Sequence, residues 1–542
     1  MNVLGINAVF HDPAAALVVD GEIVAAAEEE RFTRRKHGKP AVPFSTWELP
    51  ERSARWCLAE AGLDASELDA IGYSYDPALA PRLNGDVTAD GWEPLRTLYA
   101  ERAPRFLATA LPGLDPDRVR FVPHHVAHGA SAAHASPFSS AAVLVLDGRG
   151  ERTSSLTGRY DGERLEILHM QPLPDSLGLF YEEATEHLGF RRASDEYKVM
   201  ALAAYGRPSA LEALRGLVRP TGRGRFTCAA VPWDELAPRA RHEEWQPVHA
   251  DLAASVQRRL EEVLLALAAD VHEQTGESRL VLAGGVALNC VANSVLYERG
   301  PFEEIWVQPA AGDAGTALGA ALTVSSESGE RTKPMRSAAL GRSFTDEQVR
   351  AVLEEAGVAY EATEDVARPV AEALADDAIV AWFQGRSEFG PRALGHRSLL
   401  AHPGKAENLD RLNAVKGRES FRPVAPMVLA ERAAEIFEGG PLPSPFMLFT
   451  HRVSPAWRDR IPAAVHVDGT ARVQTVDAAE EPLVARVLQE FERRTELPVV
   501  INTSLNTRGR PMVDDPLDAL ECFGSAPIDL LAIGRFLVRR HR

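Results

Sequence analysis

Four short apolar runs, each breaking off at a turn that carries glycine or aspartate, are spread over the first 325 residues. Residues 3–7 end in a His-Asp turn and residues 141–146 in Asp-Gly-Arg-Gly-Glu. Residues 280–283 end in Gly284-Gly285, and residues 305–308 in a Gly-Asp-Ala-Gly stretch that opens an alanine-rich helix with Asp313 and Gly315 at its start. A buried strand stopping at such a turn aims backbone amides at whatever lies beyond it, and leaves the aspartate free for a metal. One such unit says little, because many hairpins carry Asp-Gly. Recurrence in both halves predicts a duplicated α/β domain with a nucleotide cleft between the halves, the plan of actin-like ATPases and sugar kinases.

The order of elements fits that plan. Residues 3–7, 15–19 and 22–27 alternate as strands of a meander, with His11 and Asp12 at its first turn. The run at 28–39, dense in both charge signs, reads as a solvated face. Helices are expected at 47–62 and 92–111, with a strand at 70–75 between them. Residues 119–122 form a short strand, and the alanine-rich segment after Pro123 opens a helix. On it His124 and His128 are one turn apart, so their imidazoles point the same way and can offer two nitrogens to a metal. Seen alone, they read first as two histidines on a polar helical face. Residues 194–206 read as a helix capped by Ser194, and 252–275 as a long helix with a Leu/Val stripe.

Residues 326–337 turn polar and lose their apolar period, so they read as a linker between a domain at 1–325 and another at 338–542. The second domain opens with helices at 346–356 and 366–375 and a strand at 379–383. Arg386, Arg392, Arg397, Lys416, Arg418 and Arg422 then fall in one Gly- and Pro-broken stretch. Arg472 follows, and a strand at 498–506 presents Asn502, Ser504 and Asn506. Cations on loops can converge, and arginine forks with a lysine point charge suit small phosphates. This cluster stands in a chain of net charge −18, which argues against nucleic acid as the partner. No apolar run is long enough to span a membrane, and the first residues do not read as a signal peptide. Cys57, Cys228, Cys290 and Cys522 form no CxxC pair, which excludes a disulfide framework or zinc ribbon and predicts a reducing, cytoplasmic setting.

Nine motifs in order carry a resemblance: HHVAH, DGRGE, DEYKVMALAAYG, GGVALN, PAAGDAGTALGAAL, GRSEFGPRALGHRS, NAVKGRESFRPVAP, DGTARVQTV and INTSLN. Together they resemble the nodulation-protein-U and antibiotic O-carbamoyltransferase family, which includes the nebramycin and cephamycin carbamoyltransferases. The resemblance implies a duplicated actin-like (ribonuclease-H-like) N-terminal domain and a YrdC-like α/β C-terminal domain. It implies that the C-terminal domain turns carbamoyl phosphate and ATP, with Mg as a fitting companion ion, into carbamoyl-adenylate. Arg392, Lys416, Arg418, Arg422, Arg472, Asn502 and Ser504 would hold those substrates. In the N-terminal domain it implies His124, His128, Asp147 and Asp313 as ligands of divalent iron, with other divalent metals open. Gly148, Gly284, Gly285 and Asn289 would line the adenylate, His11 would act as general base and Lys36 would orient or neutralise the intermediate. One departure is Tyr197, Ala201 and Ala204 where many members read GKxMGLAPYG, which looks closer to the antibiotic-tailoring branch.

The expected activity is ATP-dependent O-carbamoylation of a small-molecule acceptor with a free hydroxyl, on a sugar of an antibiotic. No nucleic acid and no membrane is expected as partner, and a homodimer stays open. The competing readings are an actin-like sugar kinase, which leaves the arginine-rich domain without a task, and an RNA threonylcarbamoyl-type enzyme, which the acidic balance disfavours.

Overall fold

In the computed structural model, residues 1–38, 48–80, 93–241 and 244–540 are described. Lys39, Trp47 and Trp92, which begin or end expected segments, lie outside them. The chain divides into two compact units, Met1–Ser337 and Ala338–Arg542.

The first unit is built on two sheets with the same plan. Strands β1 (Asn2–Asn7), β2 (Ala14–Val19) and β3 (Glu22–Glu28) form an antiparallel meander. β4 (Ala70–Tyr73) and β5 (Val119–Phe121) then add in parallel beyond β1, giving the order β3-β2-β1-β4-β5. The second sheet repeats this. β6 (Ala141–Leu146), β7 (Thr153–Tyr160) and β8 (Leu165–Pro172) form its meander, and a small hairpin of β9 (Val218–Gly222) and β10 (Arg225–Cys228) stands apart. β11 (Arg279–Ala283) and β12 (Glu304–Val307) add in parallel beyond β6, giving β12-β11-β6-β7-β8. The first, second, third, fourth and fifth strands thus occupy matching places in both sheets. This is the duplicated ribonuclease-H-like arrangement of the actin-like fold.

The helix Ala314–Glu327 packs on β1, β2, β4 and the helix His124–Ala133. Its sequence of small residues sets how closely it can approach. A Cβ on Gly319 would stand 1.7 Å from the Ala127 carbonyl oxygen, so the two helices touch backbone to backbone there. Beyond that helix, Lys333 N–H donates to the Gly21 carbonyl and Met335 N–H to the Ala135 carbonyl, both at 2.8 Å, so residues 328–337 lie along the first unit.

The charged run at 28–39 is solvated only in part: Arg35 and Lys36 are exposed, but its first residues turn inward. Glu28, Glu29 and Arg31 are buried. Arg31 bridges Glu28 and Glu30 at 3.2 Å each, and Glu29 accepts from the Ser53 N–H and hydroxyl at the start of the next helix. Opposite charges close in sequence can satisfy one another inside, which composition does not reveal. The helix after residue 194 runs Glu196–Ala203 with Asp195 at its N-cap position, so Ser194, the expected cap, lies one residue ahead of the observed one.

The second unit is a mixed eight-stranded sheet. It contains β13 (Glu361–Ala362), β14 (Val380–Phe383), β15 (Arg397–Ala401) and β16 (Ala425–Leu429), and β17 (Phe437–Glu438), β18 (His451–Val453) and β19 (Thr470–Ala471) form a separate three-stranded sheet. β20 (Gln474–Val476), β21 (Val499–Ser504), β22 (Leu530–Ile533) and β23 (Phe536–Arg539) complete the order β13-β23-β22-β14-β15-β21-β16-β20. Val380 and Trp382 of β14 pack under the helices Ala367–Ala375 and Pro482–Thr495, while Ala381 and Phe383 face the opposite core. Both faces of the sheet are therefore covered, and the strand reads as a continuous apolar run.

Candidate functional site

In the first unit, the helix His124–Ala133 starts at Pro123 with no side-chain cap of its own. Glu151 supplies one from a distance: its carboxylate accepts the backbone N–H of His124 and of Asp76, both at 2.9 Å. That fixes the first turn, and with it the two imidazoles. His124 and His128 are fully buried, with ring centroids 4.7 Å apart and planes at 89°. Asp147, just past the end of β6, places Oδ2 3.4 Å from His124 Nε2 and 3.8 Å from His128 Nε2. Asp313, at the start of the small-residue helix, places Oδ1 3.7 and 3.6 Å from the same nitrogens.

The four sequence-predicted ligands therefore converge, with one donor atom each inside a 4.8 Å spread. Neither Nε2 has a hydrogen-bond partner, though both are buried. Donors bound at about 2.1 Å to a shared tetrahedral centre stand about 3.4 Å apart, close to the spacings found. Two imidazole nitrogens with two carboxylate oxygens fit a divalent transition metal. Burial pushes the His124 imidazole down, but Asp147 and then Asp313 outweigh it and bring it up to about 9. Burial likewise opposes the charge on Asp147, yet His124 and His128 hold its carboxyl well below the usual range.

The glycines around Asp147 have defined tasks. Gly285 N–H donates to Asp147 Oδ1 at 2.9 Å, so this amide orients the carboxylate. Gly284 has φ +89°, and a Cβ there would meet the Leu146 carbonyl oxygen at 2.1 Å. Gly148 lies against the Glu182 carboxylate. Asn289 caps the helix Cys290–Arg299 through Ala292 N–H at 3.0 Å and exchanges hydrogen bonds with Gln257. Its polar groups are thus used within the protein.

His11 sits on the turn after β1, beside Phe10, whose ring packs edge-on against His124 at 5.2 Å. Lys36 is exposed on the 3-10 turn Lys36–Gly38. The buried Asn7 amide donates to the carbonyls of His11 and Asp12 at 2.8 and 2.9 Å and pins the turn.

In the second unit, Lys416 ends the helix Asn408–Val415 and is buried. Its ammonium donates to the Ser504 carbonyl and, at 3.0 Å, to the Ser504 hydroxyl, and it reaches Asn506. Arg418 bonds Asn413, and Arg422 pairs with Glu419 at 3.6 Å. Arg472 lies between β19 and β20. Arg392 sits on a loop pinned from behind: Asn502 donates to Ala393 O at 3.1 Å, Gln474 to Leu394 O at 2.7 Å and Trp382 to Gly395 O at 2.7 Å. Glu388, 1% exposed, accepts three amides of the same loop, from Leu394, His396 and Arg397. Two cations of the stretch belong to the fold. Arg386 binds the Leu340 and Gly341 carbonyls, and the fully buried Arg397 binds those of Gln384 and Arg342.

Glu151 and Glu388 stand inside the DGRGE and GRSEFGPRALGHRS motifs, yet neither was expected as a functional residue. No local signal marked them: Glu151 adjoins Arg152 and Glu388 stands two residues from Arg386, so a local ion pair was the ordinary expectation for both.

A model described as "Carbamoyltransferase N-terminus" matches residues 2–107 and 97–322, and one described as "Carbamoyltransferase C-terminus" matches 371–540. The chain belongs to the carbamoyltransferase family. Among relatives of this carbamoyltransferase, nodulation protein NolNO of Sinorhizobium fredii is 39% identical, over 98% of this chain and 80% of the relative. Nodulation protein U of the same organism is 32% identical over 94% of each. Among solved structures, HypF of T. kodakarensis shares 17% identity at a TM-score of 0.33, covering 61% of this carbamoyltransferase and 49% of that chain. No helix among the described residues of the enzyme is long and apolar enough to cross a membrane.

Proposed function

We propose that this carbamoyltransferase runs two half-reactions at two sites. In the C-terminal unit water cleaves carbamoyl phosphate to carbamate and inorganic phosphate, and a carbamate oxygen then attacks the α-phosphorus of ATP, so that pyrophosphate leaves with the electron pair and carbamoyl-adenylate forms. In the N-terminal unit the carbamoyl group passes to a hydroxyl of a small-molecule acceptor, in our reading a sugar hydroxyl of a natural product, and AMP leaves.

The convergence of His124, His128, Asp147 and Asp313 carries this reading, because a buried, partnerless pair of imidazole nitrogens facing two carboxylates is costly without an ion. These four residues would hold divalent iron, or zinc or manganese in its place. Such an ion supplies Lewis acidity without changing oxidation state. Gly285 keeps Asp147 turned toward that centre, and Gly148, Gly284 and Asn289 border the adenylate. His11 takes the proton of the acceptor hydroxyl, and Lys36 neutralises charge developing on the carbamoyl oxygen. In the C-terminal unit Arg392, Lys416, Arg418, Arg422 and Arg472, backed by Asn502 and Ser504, stabilise charge on the transferring phosphate oxygens.

The test is incubation with carbamoyl phosphate, ATP, Mg and a panel of aminoglycoside, macrolide and glycopeptide antibiotics together with free oligosaccharides. The expected result is pyrophosphate release that depends on carbamoyl phosphate, and one acceptor heavier by one carbamoyl group. ADP with a phosphorylated sugar would instead mark a kinase and overturn the proposal.

A further inference from the structure

Around His11 the structure holds a second cluster. His11 Nδ1 lies 2.8 Å from Asp12 Oδ2, and His37 Nδ1 lies 2.9 Å from the other oxygen, Asp12 Oδ1. His37 Nε2 is 2.8 Å from the hydroxyl of Ser194, and the two imidazole centroids are 4.2 Å apart. One carboxylate is thus shared by two histidines that come from the turn after β1 and from the 3-10 turn at 36–38. Phe10, Asp12 and His37 all have positive φ, at 62°, 45° and 63°. Non-glycine residues in the left-handed region are strained, and such strain persists where the surroundings over-determine it. Here the Asn7 amide, and Glu30 accepting the His37 N–H at 2.7 Å, are what hold it.

We infer that Asp12 and His37 are positioning residues for His11. The inference rests on the reading of His11 as the base of a carbamoyl transfer. Asp12 accepts Nδ1–H of His11, which sets the tautomer whose lone pair is on Nε2, and it balances the imidazolium that forms. His37, held by Ser194, donates to the second oxygen and keeps the carboxylate turned toward His11. In the step served, the acceptor oxygen bonds to the carbamoyl carbon and its proton goes to His11 Nε2. The bond from that carbon to the phosphate oxygen breaks, its electron pair leaves on AMP, and the proton then passes to water. The side chains of His11, Asp12 and His37 are 30, 27 and 24% exposed, which leaves the cluster open on one side for an acceptor. The nitrogen–oxygen spacings are hydrogen-bond lengths, and each histidine has its own oxygen, so the cluster is organised as a relay rather than a metal cage. Burial pushes the Asp12 carboxyl up, yet His11 and His37 hold it well below the usual range, in keeping with an ionised partner for both.

The test uses the full chain labelled with 15N-histidine, the variants Asp12→Asn, His37→Gly and His37→Asn, and preformed carbamoyl-adenylate with methyl β-D-glucopyranoside as probe acceptor. Asparagine and glycine tolerate the left-handed backbone at these positions. Imidazole 1H–15N spectra should show Nδ1–H on His11 and on His37, with the His11 tautomer lost in Asp12→Asn. Transfer should fall by about 10²–10⁴ in Asp12→Asn and about 10–100-fold in His37→Gly. It should return to within about threefold of wild type in His37→Asn, whose amide can replace the lost donor. An Nε2–H tautomer at His11 in the wild type overturns the inference, as does a wild-type rate in Asp12→Asn or a second metal ion per chain that Asp12→Asn loses. If the wild type neither releases pyrophosphate nor transfers, the proposed function fails, and the tautomers still decide the inference.

Discussion

Glu388 shows how one side chain can govern several others. Its carboxylate collects the amides of Leu394, His396 and Arg397 at 2.6, 3.0 and 3.3 Å, and so shapes the loop that presents Arg392. A hydrogen bond to a charged group contributes about 1.5–3 kcal/mol, and glutamine keeps the size while losing the charge. Glu388→Gln should therefore lower stability by about that amount in urea unfolding and raise the KM for carbamoyl phosphate by about tenfold. Unchanged values of both would show that the loop is held by Asn502, Gln474 and Trp382 alone. The four-residue histidine spacing and the Asp-Gly turn at 147 are local signals that marked candidates, while the set of His124, His128, Asp147 and Asp313 as proposed ligands came from the family resemblance. Glu151 serves His124 from 27 positions away, and Ser194 serves His37 from 157. No periodicity records such a pairing, so these supports become visible only once the strands are placed.

At the scale of elements, the approach of two helices sets the cluster of His124, His128, Asp147 and Asp313 that is proposed to hold the metal. Gly319 lets the helix that begins after Asp313 touch the helix of His124 and His128. Gly319→Val puts carbon where the Ala127 carbonyl stands and must separate them. It should cost about 1–3 kcal/mol or more and reduce bound metal below one ion per chain by elemental analysis; a full complement of metal would mean that Asp313 is positioned independently of this packing. The other end of the histidine helix answers to pH. His134 is 6% exposed, and burial brings its imidazole down to about 4. Below pH 6.5 the unfolded chain binds a proton there that the folded chain refuses until about pH 4, so stability present at neutral pH is lost as pH falls through that window. From pH 7 to pH 5 the loss is about 2 kcal/mol. His134→Gln should lose less Tm than wild type over that range, and parallel Tm curves would contradict the assignment. The first meander was legible from two-residue alternation and β6 lies where its apolar run predicts, whereas β7 and β8 of the second meander were not read from the sequence. The start of the charged run was misread because composition cannot tell a solvated face, which holds for Arg35 and Lys36, from the buried pairing of Arg31 with Glu28 and Glu30.

For the whole molecule, the central claim is a division of labour between the units Met1–Ser337 and Ala338–Arg542. The matching strand orders of the first two sheets were foreshadowed by the recurring strand–turn units, whereas the order of the eight-stranded sheet was not, because mixed pairing leaves no repeat to read. Removing bound metal with a chelator should abolish transfer while leaving carbamoyl-phosphate-dependent pyrophosphate release in place, and adding Fe(II) back should restore transfer. The most direct measurement is to assay both half-reactions separately in two variants. His128→Ala should lose transfer at least ~100-fold, a larger loss than removal of an outer-shell partner causes, and keep pyrophosphate release. Lys416→Ala should lose pyrophosphate release by about 10²–10³ and still transfer from preformed carbamoyl-adenylate. Equal loss of both half-reactions in either variant would contradict two sites with separate tasks.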